Sequence, residues 1–323
     1  LTGQVPGDII EALRQGQRFL VVLHENPDGD SLGTSFGLAL ALRSLGKEAV
    51  VAGSAPLPPV YAFLPGSDEL RAPGELVGRF DAAILPDCAA LDRTGALLSA
   101  VRACPVVINV DHHGSNDRFG THAWVEPSAS AAGELAYHLV IGLGAELTPA
   151  VATCLYTAIV TDTGSFHYES TTPECLEVAA ALVRAGASPW LLATRLYETR
   201  SESSLRLLAR ALSSLEVSPR GKVAWVSLTP EDFAAVGAHE SESDGIINYP
   251  RQIDGVEVAL LFRDLGNNQV RVGFRSRGRV DVASLAAGFG GGGHAKAAGC
   301  VVSGDLKAVK DRILQVALEA AGE

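Results

Sequence analysis

Through the first two hundred residues, short apolar runs alternate with stretches of helical spacing, and several of the runs stop at an acidic or histidine side chain. Arg18–Leu23 (RFLVVL) leads into His24. Asp30–Leu45 then repeats apolar residues at helical intervals before Gly46, a residue type suited to end a helix in the left-handed region. Comparable apolar runs at Ala49–Ala52, Asp81–Leu85 and Val106–Val110 predict strands, and Ala131–Leu143, Ala150–Val160 and Pro173–Ala185 predict helices. Strands alternating with helices predict an α/β domain with a mainly parallel sheet flanked by helices.

The chain has 323 residues, and a single core usually stops growing at roughly 250–300, so two domains are expected. After a helical stretch at Leu205–Leu215, the turn-forming Ser218-Pro-Arg-Gly221 opens a second rhythm. It holds strands at Val223–Leu228, Val256–Phe262, Gln269–Phe274 and Gly299–Val302, a helix at Val282–Ala287 and a final helix from Asp305. The expected division is a larger domain over 1–199, a linker region over 200–220 and a smaller α/β domain over 221–323.

Hydrophobic residues make up 47% and charged residues 20%, enough to bury a core and too apolar for a disordered chain. No apolar run approaches the roughly 18 residues of a membrane span, and the N-terminus lacks the zones of a signal peptide, so no membrane partner and a cytoplasmic location are expected. The five cysteines form no C-x-x-C pair and read as buried thiols rather than a disulfide framework or a thiolate zinc site. Residues 1–219 carry 14 basic and 24 acidic side chains, against 12 and 13 in 220–323. Without a broad basic face the chain is not built to grip long nucleic acid, whose non-specific affinity comes from phosphate neutralisation.

Four clusters carry the chemistry: His24-Glu-Asn-Pro-Asp28-Gly-Asp30, Asp87, Asp111-His112-His113 and Asp162. Each is read as lying just after a strand, and loops at the carboxyl ends of parallel strands converge on one crevice. Pro27 and Gly29 make a tight turn that aims Asp28 and Asp30 at neighbouring points, where two carboxylates repel unless a cation stands between them. Carboxylates and imidazoles without thiolates suit Mn²⁺, with Mg²⁺ as the alternative, better than structural zinc. Two such ions roughly 3.5–4 Å apart activate a water, polarise a phosphoryl oxygen and stabilise the leaving oxygen. Any one of these residues alone reads more simply as a cap, a turn or a hydrogen-bonded structural group. H-x-N-P-D-G-D, a strand-final Asp, D-H-H and T-D-T-G in this order do not.

In the second half, Gly290-Gly-Gly-Gly293 before His294 permits positive φ and close backbone approach, which predicts an anion-binding nest of successive amides with Gly291, Gly292 and Gly293 as substrate contacts. A flexible linker is the simpler reading of a glycine run, but this one sits between a predicted helix and strand. Arg275-Ser276 after one strand and Arg251 in N-Y-P-R before another are candidate phosphate binders, because guanidinium grips phosphate bidentately. His294 is read as a base, ribose or phosphate contact.

These motifs resemble those of the DHH phosphoesterases, whose name repeats Asp111-His112-His113, and the resemblance covers nearly the whole chain. Within that family the chain is similar to the short-oligonucleotide hydrolases of the nano-RNase (NrnA-like) group, which join a DHH domain to a smaller DHH-associated domain bearing a G-G-G-H element. The resemblance implies Mn²⁺-dependent hydrolysis of very short RNAs and of 3′-phosphoadenosine 5′-phosphate, with the active site in the interdomain cleft. Residue by residue, it implies His24, Asp28 and Asp87 on one metal ion and Asp30, Asp87, His112 and Asp162 on the other, with Asp87 bridging. It places His113 toward the scissile phosphate as a catalytic group, makes Asp111 a supporting residue that orients a ligating imidazole, and adds Asn116 in D-H-H-G-S-N as a support of this substrate-binding loop. The expected partners are short single-stranded RNA or small nucleotides, not long duplexes, with a homodimer left open. A phosphodiesterase for cyclic or linear dinucleotides is the alternative within hydrolases, and a nucleotide-binding regulator with an inactive site the alternative outside them. A pyrophosphatase is disfavoured, since its second domain would carry a lysine-rich grip in place of G-G-G-G-H.

Overall fold

The computed structural model describes residues 5–54 and 56–323, with His294 described by its backbone only. The chain divides into two compact units, Leu1–Thr199 and Arg200–Glu323.

The first unit runs α1 (Gly7–Gln15), β1 (Arg18–Val22), α2 (Gly29–Ser44), β2 (Glu48–Ala52), β3 (Ala82–Pro86), α3 (Leu98–Arg102), β4 (Val106–Asp111), β5 (His122–Val125), α4 (Ala132–Leu143), α5 (Pro149–Asp162), α6 (Pro173–Arg184) and α7 (Pro189–Ala193). Its five strands form one parallel sheet in the order β2-β1-β3-β4-β5. Helices cover both faces, which is why β1 and β3 are continuously apolar rather than alternating. Phe19, Val21 and Ile84 pack toward Leu32, Phe36 and Leu155 of α2 and α5, whereas Leu20, Val22 and Leu85 pack toward Leu97 and Val101 on the other face.

Glycines set the closest helix contact. A Cβ on Gly29 would stand 2.4 Å from Thr161 Oγ1, one on Gly33 2.4 Å from the Cys154 carbonyl oxygen, and one on Gly37 2.7 Å from Leu155 Cδ2. Recurring every four residues, they form one bare stripe on α2. Their partners fall back along α5, so the helices run antiparallel and the start of α2 lies beside the end of α5.

The second unit contains α8 (Glu202–Ser213), β6 (Glu216–Val217), β7 (Val223–Leu228), α9 (Pro230–Val236), α10 (Asn248–Arg251), β8 (Val258–Asp264), β9 (Gln269–Ser276), α11 (Val282–Ala287), β10 (Gly292–His294), β11 (Ala297–Ser303) and α12 (Leu306–Ala321). Its sheet has the order β10-β11-β9-β8-β7-β6 and is mixed: β7 and β8 are parallel, the other neighbours antiparallel. Residues 200–220, expected as a linker, are instead largely folded into α8 and β6 of this unit. Ser201 caps α8 by accepting from the Ser204 amide, and Leu207 and Ala211 are buried one helical turn apart. Among the described residues, no single helix is long and apolar enough to cross a membrane.

Candidate metal centre

The chain passes from β1 to β2 on one side and later returns to β3 on the other, so β1 and β3 flank the point where the strand order reverses. Loops leaving such a point open a crevice at the carboxyl ends of the strands. His24 follows β1, Asp87 follows β3, and Asp111, His112 and His113 form the end of β4 and the residues just beyond it. Asp28 is the N-cap of α2, accepting the amides of Asp30 and Ser31 at 3.1 Å each. Asp162 corrects the sequence reading: it is the last residue of helix α5 and follows no strand. The helix runs two residues beyond Val160, its last apolar residue, and the antiparallel packing on α2 brings Asp162 to the same place.

Three groups of donor atoms gather there, each with its atoms within 4.8 Å of one another: His24, Asp28 and Asp87; Asp30, His112 and Asp162; and Asp87, His112 and His113. Asp87 joins them. One of its oxygens is 3.4 Å from His24 Nε2, and the other is 3.7 Å from His112 Nε2 and 3.5 Å from His113 Nδ1. His112 Nε2 is also 3.6 Å from Asp30 and 3.5 Å from Asp162. These separations are too long for direct hydrogen bonds and suit oxygen and nitrogen donors arrayed around a cation.

Contacts behind the donors fix their direction. His24 Nδ1 lies 2.7 Å from the Glu25 carbonyl and His112 Nδ1 3.3 Å from that of Ala129, so each ring points Nε2 at the cluster. Asp30 accepts the amides of Ala132 at 2.7 Å and Gly133 at 2.9 Å, and the Thr34 hydroxyl at 2.9 Å. It thereby caps α4, whose own N-cap residue, Ala131, supplies no side-chain acceptor. Asn116 donates to the Cys88 carbonyl and Asn109 Oδ1 as well as to Asp111, so it braces the loop in the interior.

The electrostatics fit a site built for cations. Burial pushes the carboxyls of Asp30 and Asp87 well above the usual carboxylate range, and neighbouring carboxylates push further. Burial also raises Asp162 and depresses His24, favouring the uncharged imidazole that a metal ligand must be. Burial works to raise Asp111 too, but hydrogen bonds from His113 and Asn116 outweigh it and hold the carboxyl below its ordinary value. The same bond, donated to Asp111, raises His113.

The crevice also contains side chains that the motifs did not reveal. Arg93, in the 3₁₀ stretch Leu91–Leu97, brings Nη2 to 3.2 Å from His24 Nδ1. Fully buried Glu134 accepts both the amide and the hydroxyl of Ser130, and fully buried Asn109 donates to the carbonyls of Leu85 and Cys88. The one signal for Arg93 was its place in the loop that follows Asp87.

In the second unit, His294, Ala297 and Arg275 stand in one row across β10, β11 and β9, with Arg275 next to a buried Ser276. Arg251 ends α10. The glycine run departs from the expected nest. The amides of Gly290 and Gly291 donate to the Ala287 and Ala286 carbonyls of α11, so at most two of the four remain for an anion. Gly291 and Gly293 are needed for close packing, because a Cβ would come within 2.2 Å of the Gly299 carbonyl and 2.5 Å of the Ala297 carbonyl. Gly292 has open space and no positive φ, so nothing within the unit accounts for its missing side chain.

Residues 18–159 match the family model described as DHH family, N-terminal domain, and residues 223–323 match the DHHA1 domain. The chain is 37% identical over 303 residues to the bifunctional oligoribonuclease and PAP phosphatase NrnA of Thermus thermophilus, covering 93% of this chain and 89% of that protein. It is 27% identical over 298 residues to the protein of the same name in Bacillus subtilis, covering 91% and 92%. An exopolyphosphatase-related protein from Bacteroides fragilis superposes with a TM-score of 0.91 at 28% identity, covering 99% of this chain and 98% of that one. With the D-H-H triplet at the carboxyl end of β4 and both domain models matched in order, the chain belongs to the DHH family of phosphoester hydrolases, with a DHHA1 domain as its second part.

Proposed function

We propose that the chain is a manganese-dependent hydrolase of very short oligoribonucleotides and of 3′-phosphoadenosine 5′-phosphate, acting through a two-metal site. The observation that carries this reading is Asp87, whose two oxygens face different donor groups. His24, Asp28 and Asp87 would hold one ion, and Asp30, Asp87, His112 and Asp162 the other. Bound divalent cations supply Lewis acidity and neutralise charge on the phosphoryl group.

The protein's own groups do the rest. His113, whose proton Asp111 helps to hold through their hydrogen bond, faces the scissile phosphate and either neutralises charge or passes a proton to the leaving oxygen. In the second unit the row of His294 and Arg275, with the bare backbone of Gly292, grips the terminal nucleotide, and Arg251 adds charge. Anchoring the distant end of a substrate aligns the reacting end, which can be worth up to about 7–11 kcal/mol of the barrier. The names of the Thermus and Bacillus relatives support the substrate class. Five buried cysteines without a disulfide support a reducing compartment, the cytoplasm.

The test is a substrate panel with Mn²⁺ or Mg²⁺: a labelled RNA dinucleotide, a longer RNA, 3′-phosphoadenosine 5′-phosphate, a cyclic dinucleotide and pyrophosphate. The expected order puts the dinucleotide and 3′-phosphoadenosine 5′-phosphate first, faster with Mn²⁺. Preference for pyrophosphate, or dinucleotide binding without turnover, overturns the reading.

A further inference from the structure

The metal centre is lined by carboxylates, and among the described residues the guanidinium of Arg93 stands against one of its histidines, His24. Arg93 is held there by backbone: its carbonyl accepts the Glu25 amide at 2.7 Å, one residue after His24. Two residues on, Gly95 has φ 53° and ψ −126°, and a Cβ there would meet Glu25 Oε1 at 2.4 Å. The segment is therefore folded tightly against the loop that supplies His24.

The side chain has little reason to be there on structural grounds. Among the described residues Arg93 makes no ion pair with a carboxylate. Its close polar contact is His24 Nδ1, and that nitrogen already faces the Glu25 carbonyl at 2.7 Å. Guanidinium carries five N–H donors in a fixed fork, so most of them are uncommitted. Its Nη2 stands 3.2 Å from the Nδ1 edge of His24, which brings the positive charge up against one of the donor residues. A cation beside a cation-binding site weakens metal binding. An anion arriving with the substrate is the complement that makes the placement favourable.

We propose that Arg93 is a substrate-binding residue whose guanidinium takes a non-bridging oxygen of the phosphate under attack. This rests on the phosphoesterase reading above and adds a protein-borne contact to the phosphoryl group. Guanidinium-to-phosphate bonds are charge-assisted and directional, and lysine reproduces the charge without the fork.

The experiment compares the full-length protein with Arg93→Ala and Arg93→Lys. It reads three quantities: Mn²⁺ affinity and inorganic phosphate affinity of the Mn²⁺-loaded protein, both by calorimetry, and kcat/KM on an RNA dinucleotide and on 3′-phosphoadenosine 5′-phosphate. Arg93→Ala is expected to bind Mn²⁺ as tightly as the parent or a few-fold tighter, to lose phosphate affinity about ten-fold or more, and to lose about 10²-fold in kcat/KM. Arg93→Lys is expected to recover part of both losses. Turnover within three-fold of the parent overturns the proposal, as does a fall in Mn²⁺ affinity that tracks the activity, since Arg93 would then act only by orienting His24. Should the parent hydrolyse neither substrate, the proposed function falls while the phosphate titration still decides the role of Arg93.

Discussion

His113 Nδ1 lies 2.8 Å from one oxygen of fully buried Asp111, and Asn116 Nδ2 lies 2.5 Å from the other. With both oxygens committed, Asp111 is arranged to hold the His113 ring and its proton rather than to bind a cation. Replacing it by Asn keeps the shape and removes the charge. Asp111→Asn is expected to lower kcat about 10²-fold while Mn²⁺ affinity shifts by no more than a few-fold, as steady-state kinetics and metal titration will measure.

Asp87 is buried among other carboxylates that raise its pKa. Asp87→Asn should therefore relieve repulsion in the metal-free protein and raise its melting temperature, by roughly 2–4 °C for each kcal/mol relieved. The same change should abolish turnover and cut Mn²⁺ stoichiometry from two to at most one. Calorimetry with and without the metal checks both halves of this expectation.

Gly33 touches the backbone of α5 where α2 crosses it, away from the donors themselves. Gly33→Ala has nowhere to put its methyl group, and overpacking of this kind costs about 1–3 kcal/mol. Because α2 carries Asp30 and α5 ends on Asp162, the loss of stability in urea should come with weakened Mn²⁺ binding.

Glu134 accepts two hydrogen bonds from Ser130. On one side of Ser130, the Ala129 carbonyl orients His112; on the other, the Ala132 and Gly133 amides hold Asp30. Glu134→Ala leaves a buried amide unpaired, a cost of about 1–3 kcal/mol. Mn²⁺ affinity should drop about ten-fold. Urea unfolding and metal titration read the two effects separately.

The glycine run separates packing from binding. Gly293→Ala collides with β11 and should lower the melting temperature, whereas Gly292→Ala has room for its methyl group and should melt as the parent does. Lower turnover by Gly292→Ala alone would mark the place where substrate approaches the backbone. Unchanged turnover would remove that residue from the grip.

The legible parts of the fold were those whose burial is written in local pattern. β1 and β3 are buried on both faces, so residues 19–23 and 82–86 stand out as unbroken apolar runs, and the polar residue after each, His24 and Asp87, is conspicuous. β5 has only four residues, two of them half-buried, and α1 buries just Ile9 and Leu13, so neither showed. Asp162 is expected behind a strand, whereas the helix predicted over Ala150–Val160 runs on to the Asp itself. Glu134 acts through Ser130, 4 residues away, and Arg93 reaches the site beside His24, 69 residues away. The short helical spacing of Glu134 from Ser130 and the place of Arg93 in the loop after Asp87 are faint local traces, and neither suggests a role. The glycine run was legible as unusual but not as packing, because the collision with β11 depends on a strand pairing that the sequence does not display.

Asp87 sits in the left-handed region, at φ 52°. Few side chains tolerate that backbone, Asn and Asp best among them, and glycine adopts it freely. A lineage that abandons catalysis can therefore discard His24 or Asp162 in many ways, but at this position inheritance is channelled toward Asn or Gly. Descendants that have become binders or regulators should carry that signature at the end of the third strand, a mark of lost chemistry left by steric permission rather than by selection for a new task.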